Sequence, residues 1–409
     1  MKNSHLSSRK KKYKLKITAY YLLMMVFTMA VCFFIAEYTF ARYYYSNASN
    51  IKNKEFDSEI GWVYLPGKYM VKPMHSIKMH EIYINKYGLR NKEINTNSKI
   101  GEKRIVVLGD SFTFANAIRN EDIFTTKMEN ILNEKKSEHY EVINAGVEGY
   151  GNIQELLLMR RLMDNNIVGD VYLLMIFIND ILDNLCYSYG DNTENYVQPK
   201  YIIGDNNRLI LSRLPKKEID ESANFMPVTK ESNKFKIIDV LKIKIASYLQ
   251  TRPNMILYFS KVGYNVKFPR VPGLINGWYE ENKLKDGLPI LKEAIREIKY
   301  EASKNNALLI VSLIPSPLQV YPEVYGPILK RTFQGNILVE KWLSDKLLPQ
   351  RSIKEICEEL NIPYLDLYKD LRDNNDKELY IPNEGHFNEK GHRVAAESLA
   401  KYIKYQTHR

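Results

Sequence analysis

The sequence predicts a doubly wound α/β domain behind a single membrane-spanning helix, and three observations carry that prediction. One run of twenty residues, Ile17 to Ala36, holds no charge, no Gly and no Pro. Beyond it, short apolar runs rich in Val, Ile and Leu alternate with stretches of helical periodicity. The polar clusters with chemical potential fall just after those apolar runs, where an open α/β sheet binds its ligands.

The apolar run comes first in the chain. As a helix it rises about 30 Å, the hydrocarbon thickness of a bilayer. Seven basic residues (Lys2, Arg9, Lys10, Lys11, Lys12, Lys14 and Lys16) precede it with no acid, while Glu37 follows. The charge bias places residues 1–16 in the cytoplasm as a basic tail, 17–36 in the membrane and the rest outside the cytoplasm. A cleaved signal peptide ordinarily has a shorter apolar stretch and a small-x-small cleavage site, whereas aromatics and Glu37 follow here. Of the net charge of +11, those seven charges leave only +4 on the remaining chain. That is no field for a polyanion, so nucleic acid is not an expected partner.

Residues 37–100 read as a membrane-proximal lead-in, and 101–404 as the α/β domain. Five runs read as strands buried on both faces of a parallel sheet: 105–108, 141–143, 171–178, 308–314 and 363–367. Helical patterns lie at 121–136, 152–165, 288–305, 350–360 and 389–404. Between about 185 and 287 the alternation fails, leaving Asn-, Lys- and Tyr-rich sequence with short apolar pieces at Tyr201–Ile203 and Leu209–Leu211. So long a stretch is not one structureless loop and reads as an insertion, a candidate cap over the site. Three cysteines are too few for a disulfide framework. Cys32 lies in the apolar run; Cys186 and Cys357 are either a pair or two buried thiols. No Cys/His cluster has metal-ligand spacing, and there is no phosphate- or dinucleotide-binding fingerprint, so neither metal nor cofactor is expected.

Four clusters carry chemistry. The first strand runs into Gly109-Asp110-Ser111-Phe112-Thr113, which puts a serine at the turn from strand to helix. Such a serine either projects its hydroxyl into the cleft as a nucleophile or merely caps the helix. The second strand ends in Asn144-Ala145-Gly146-Val147-Glu148-Gly149-Tyr150-Gly151, a Gly-rich loop whose backbone can approach a ligand. The third ends in Phe177-Ile178-Asn179-Asp180, which offers an amide donor. Near the C-terminus stands Pro382-Asn383-Glu384-Gly385-His386-Phe387-Asn388, with a histidine beside a carboxylate ahead of the last helix.

In that order the clusters resemble the SGNH/GDSL hydrolase superfamily, named for Ser, Gly, Asn and His in four blocks. The resemblance covers about residues 101–404. The lead-in pieces Gly61-Trp62-Val63-Tyr64-Leu65-Pro66-Gly67 and Tyr87-Gly88-Leu89-Arg90 are similar to membrane-anchored members associated with bacterial surface polysaccharides. The resemblance implies a flavodoxin-like three-layer fold and a nucleophilic Ser111, with Asp110 and Asn144 in support. It implies an oxyanion hole from the N–H of Ser111, the N–H of Gly149 (Gly146 as second choice) and the amide of Asn179. His386 would be the general base. Two positions depart from the pattern. Phe177 stands where the third block usually begins with Gly. Asn383 occupies the usual place of the acid, three residues before the histidine. Some relatives place the acid two residues before it, which suits Glu384; Asp366 is the next candidate.

The implied reaction is acyl transfer through an acyl-serine. With water as acceptor the protein is an esterase of O-acyl groups, O-acetyl above all, on a cell-surface glycan. With a glycan hydroxyl it is an O-acyltransferase working beside partners in polysaccharide biosynthesis. A non-catalytic glycan-binding or scaffold protein on the same fold is the third reading. The topology is tested by protease added to intact cells whose outer membrane, if present, has been opened. The region beyond about residue 40 should be digested; complete protection with the inner membrane intact would invert the orientation.

Overall fold

The computed structural model describes residues 2–46, 53–71, 80–96, 101–134, 139–185, 188–191, 194–219, 275, 277–376, 378–381 and 385–408. The chain divides into two compact units, one of residues 1–49 and 229–242, the other of residues 50–228 and 243–409. In the first, helix α1 runs Lys2–Ser46, and its segment Lys16–Thr39 is long and apolar enough to cross a membrane. The helix therefore extends well beyond residues 17–36 at both ends, because nothing in the flanking sequence breaks it.

The second unit begins with two antiparallel hairpins, β1 (Lys54–Asp57) with β2 (Gly61–Tyr64) and β3 (Gly67–Val71) with β4 (His80–Ile84). The α/β part then runs β5 (Glu102–Gly109), α2 (Ser111–Phe114), α3 (Phe124–Leu132), β6 (His139–Gly146), α4 (Asn152–Asp164), β7 (Val171–Phe177) and α5 (Asp180–Asp183). Five short strands follow: β8 (Ser188–Asp191), β9 (Glu194–Val197), β10 (Lys200–Ile203), β11 (Leu209–Arg213) and β12 (Lys216–Ile219). The chain then returns to α6 (Glu281–Lys304), β13 (Leu308–Ile314), α7 (Pro317–Val320), α8 (Pro322–Thr332), α9 (Ile337–Ser344) and α10 (Leu348–Glu359). It ends in β14 (Tyr364–Asp366), α11 (Tyr368–Asp373) and α12 (Glu389–Thr407).

Strands β6, β5, β7, β13 and β14 lie side by side in that order, all parallel. This is the flavodoxin-like order, and β5, β6, β7 and β13 are buried over most of their length as the unalternating runs require. Strand β14, expected to be buried on both faces, is only half-buried because it forms an edge of the sheet. Every residue of β7, Val-Tyr-Leu-Leu-Met-Ile-Phe, is buried. Helices α3 and α12 pack together on one side, where the α3 amide of Phe124 donates to the buried His392 Nδ1 at 3.1 Å. Helix α4 meets α6 through Arg160, which pairs with Glu297 and Glu301, and α6 meets α10 through Lys292 and Glu359. Gly109 pairs with Gly146 on β6 and with Met175 on β7, so three strands end level beside one another. The first and third of these strands flank the point where the order reverses. That is the crevice an open sheet offers to a ligand.

The insertion is partly described. Its two short apolar pieces pair with each other, Tyr201 against Leu211 and Ile203 against Leu209, as the β10–β11 hairpin. Strands β8, β9 and β12 form a separate three-stranded sheet. Residues 220–274 and 276, with Cys186, lie outside the described residues. Trp278, just before α6, reaches back to donate its indole N–H to the carbonyl of Ile178 at 2.7 Å. Cys357 is a free thiol in the core, where burial pushes it up to about 12.

Candidate active site

Ser111 is the first residue of α2, but it is not the cap. Asp110 takes that role, its Oδ1 accepting the N–H of Phe112 at 2.9 Å. The Ser111 hydroxyl is therefore left to the cleft, and His386 Nε2 lies 2.8 Å from its Oγ. Asp110 Oδ2 is more distant from that Oγ, at 3.4 Å. Burial pushes the Asp110 carboxyl above its ordinary range, with the Phe112 N–H and the charge of His386 acting the other way.

The turn that carries Ser111 is held from beneath. Asn144 donates from Nδ2 to the carbonyl of Thr113 at 2.8 Å, and its Oδ1 accepts the N–H of Gly146 at 3.0 Å. Gly146 allows the close approach: a Cβ there would stand 2.5 Å from the nitrogen of Phe114. Arg90, almost wholly buried, binds the carbonyls of Phe114, Ala115 and Ile118 and the side chain of Asn120. The first of those carbonyls is left open where the four-residue helix stops, at Ala115, which turns at φ +56°.

These contacts separate the two glycines. The N–H of Gly146 is engaged by Asn144. Gly149, at φ +80°, sits in the turn after β6, and its N–H has no partner among the described residues. The N–H of Ser111 is one of the donors that a helix start leaves open.

Asn179 precedes α5. Its Nδ2 donates to Asp183 Oδ2 at 2.6 Å, and Asp110 Oδ2 lies 3.5 Å away, at the outer limit of a hydrogen bond. One amide hydrogen is thus firmly held and the second, towards Asp110, only loosely. Phe177 packs its ring 4.3 Å from that of Phe112, which in turn lies 4.7 Å from the ring of His386. The aromatic residue at the start of the third block therefore helps to seat the His386 ring.

His386 rides a loop closed by the bridge between Tyr380 and Phe387. Ile381 donates to the His386 carbonyl at 2.7 Å, and Tyr380 fastens the bridge to the carbonyl of Pro315 at 2.8 Å. Asn388 caps α12 through the N–H groups of Lys390 and Gly391. Asn383 and Glu384 lie outside the described residues. Asp366 ends the edge strand β14, with its Oδ1 accepting the N–H of Tyr368 at 2.9 Å, and burial pushes it up to about 6. Strands β7 and β13 stand between it and β5. His392 is the structural histidine of the pair, pushed down to about 3 by burial and hence neutral.

Sequence reasoning missed a set of buried acids under the site. Asn152 at the start of α4 donates from Nδ2 to Glu155 Oε2 and to Asp180 Oδ2, each at 2.9 Å. Glu155 Oε1 and Asp180 Oδ1 are buried without a hydrogen-bond partner among the described residues. Burial first, and the neighbouring carboxyls second, push Glu155, Asp180 and Asp183 well above the usual carboxylate range. The spacing Asp180-x-x-Asp183 behind Asn179 was the available signal, but surface acids at a helix start look the same.

No family model matches the chain, and no curated protein matches it. Solved structures to which it is similar include a member of the lipolytic protein G-D-S-L family from Veillonella parvula DSM 2008. That match has 13% identity and a TM-score of 0.35, covering 74% of this chain and 98% of that one. A psychrotrophic esterase from Pseudoalteromonas sp. matches at 12% identity and a TM-score of 0.35, covering 75% and 100%. A catalytic mutant of an acetylxylan esterase from Geobacillus stearothermophilus matches at 13% and 0.35, covering 75% and 96%. Likenesses this distant add nothing to what the side-chain geometry supports.

The buried acids give a prediction with a definite sign. A carboxyl whose folded value is raised contributes stability that is fully present below its unfolded value, about pH 4, and lost as pH rises through the folded value. Asp180→Asn should therefore raise the melting temperature at about pH 8 and leave it unchanged near pH 4. Equal shifts at both pH values would show that the carboxyl's ionisation is not what matters.

Proposed function

We propose that the chain is a serine esterase of the SGNH/GDSL kind, working through an acyl-Ser111 intermediate. The observation that supports it most is the 2.8 Å approach of His386 Nε2 to Ser111 Oγ at the C-terminal edge of the sheet. That distance lets the imidazole take the hydroxyl proton as Oγ attacks an ester carbonyl. Negative charge moves to the acyl oxygen, where the N–H of Ser111, the N–H of Gly149 and the second hydrogen of Asn179 can receive it. The tetrahedral intermediate collapses, the C–O bond to the alcohol breaks, and His386 returns its proton to the departing oxygen. Water then attacks the acyl-serine by the same steps, and the acid leaves.

Glu384 is assigned as the carboxylate that orients His386 and stabilises its imidazolium. Glu384→Gln should cut turnover by orders of magnitude and Asn383→Ala far less; the reverse ranking would sink the assignment.

A small acyl group would suit the site. The cavity beside Ser111, lined by Phe112, Ala115, Ile118, His386 and Phe387, has a volume of about 20 Å³. That is room for a water-sized group such as an acetyl methyl. With α1 as a membrane anchor and its basic end in the cytoplasm, the catalytic unit would face O-acetyl groups of a surface glycan.

The test uses an active-site fluorophosphonate and a small aryl acetate. Wild-type protein should be labelled and turn over acetate faster than octanoate, and Ser111→Ala should do neither. Asn179→Ala should lower kcat by about a hundred- to a thousandfold and leave KM within a few-fold, since the oxyanion exists only beyond the ground state. A folded Asn179→Ala that turns over at the wild-type rate would remove that residue from the site.

A further inference from the structure

The loop that carries Gly149 is a turn, closed by Tyr150 donating to the carbonyl of Val147 at 3.2 Å. Its strand end is tied down where Val147 donates to the carbonyl of Gly109 at 3.0 Å. Beyond that point its position depends on what its side chains and carbonyls reach, and they reach the β1–β2 hairpin. Trp62 donates its indole N–H to the carbonyl of Glu148 at 3.1 Å. Tyr64 donates its hydroxyl to Glu148 Oε2 at 2.7 Å, and Lys54 Nζ meets the same oxygen at 3.1 Å. The loop answers in kind, with Tyr150 donating its hydroxyl to the carbonyl of Trp62, and the two rings pack edge to face at 5.6 Å.

The hairpin reaches the nucleophile as well. The Tyr64 ring stacks on that of Phe114 at 4.4 Å, with the planes 1° apart. Phe114 ends the helix that Ser111 begins. Thus one hairpin touches the two backbone segments whose N–H groups face the acyl oxygen.

Covering the core would not require this chemistry. Lys54 is almost wholly buried, and Glu148 lines the cleft with Ser111 and His386. Burial pushes the Glu148 carboxyl up, but Lys54 and Tyr64 more than offset it and keep the group ionised. A buried ion pair is often no more stabilising than apolar side chains of the same volume. What it does supply is a fixed direction, as each partner is left uncompensated if the other moves.

We propose that Lys54, Trp62 and Tyr64 are positioning residues of the esterase, holding the loop Val147–Tyr150 so that the Gly149 N–H points at the developing oxyanion. This rests on the function proposed above. It makes the lead-in part of the catalytic apparatus, although none of its described residues touches the reacting atoms.

The experiment compares Tyr64→Phe, Trp62→Phe and the double variant with wild type and Ser111→Ala, all as full chain in detergent, on the aryl acetate. Each single variant should lower kcat about ten- to a hundredfold, the loss expected of a donor displaced by a fraction of an ångström. KM should stay within about threefold, because ground-state binding does not use the oxyanion donors. Melting temperatures of the same preparations separate loss of position from loss of fold. If Trp62→Phe does not fold, Tyr64→Phe, which deletes one oxygen from the same clamp, carries the test. Folded variants with wild-type kcat, or a loss confined to KM, would overturn the proposal. Failure of the proposed function itself would look different: wild type and Ser111→Ala would turn over alike.

Discussion

Everything proposed for this site depends on holding a hydroxyl and an imidazole at 2.8 Å when the residues that bear them are 275 positions apart. The two ends of that contact are fixed by unlike means. Ser111 is placed by a parallel strand and by a helix so short that Arg90 must take up the carbonyls it leaves open. His386 is placed by a closed loop whose bridge, Tyr380 to Phe387, is pinned to the carbonyl of Pro315 beyond β13. The sheet is the common frame, since β5 and β13 both flank the fully buried β7.

Beneath the contact the polar groups are set in layers. Asp110 caps the nucleophile helix and faces Asn179, Asn179 is held by Asp183, and Asn152 links Glu155 to Asp180. Burial pushes these carboxyls above their usual range, and a protonated carboxyl can stand close to another without repulsion. An ionised set at the same distances would be expelled or would draw in a cation. The arrangement places polar, directional groups under the oxyanion site at a cost in stability that grows with pH.

Much of the frame was legible in the chain. Leu308–Ile314 was read to the residue, because a fully buried parallel strand has no alternation to blur its ends. Helices α4 and α12 were placed nearly as closely by their apolar periodicity. Helix α6 begins earlier than expected because Gly287 and Pro289 lie inside it, and both read as breakers. Helices α7, α8 and α9 were missed for the same cause: Pro317, Pro322 and Pro327 punctuate the stretch, yet the first two sit at helix starts, where proline is tolerated. The lead-in gave no strand signal, since its four strands are only four or five residues long.

By itself the sequence determined most of the parallel strands and their larger helices, and the candidate reactive groups. Those follow from local periodicity and from which side chains can do acid–base or nucleophilic work. It left Gly146 and Gly149 as alternatives and left Ser111 between nucleophile and cap. Which partner each of these groups meets was decided only by the tertiary structure: Asn144 engages the N–H of Gly146, and Asp110 caps the helix while His386, distant in the chain, comes to the serine. The same is true of Glu148, an unassigned acid in a glycine-rich loop until Lys54, Trp62 and Tyr64 close on it. A hydrogen bond needs two groups at one place, and a linear sequence states only that both exist.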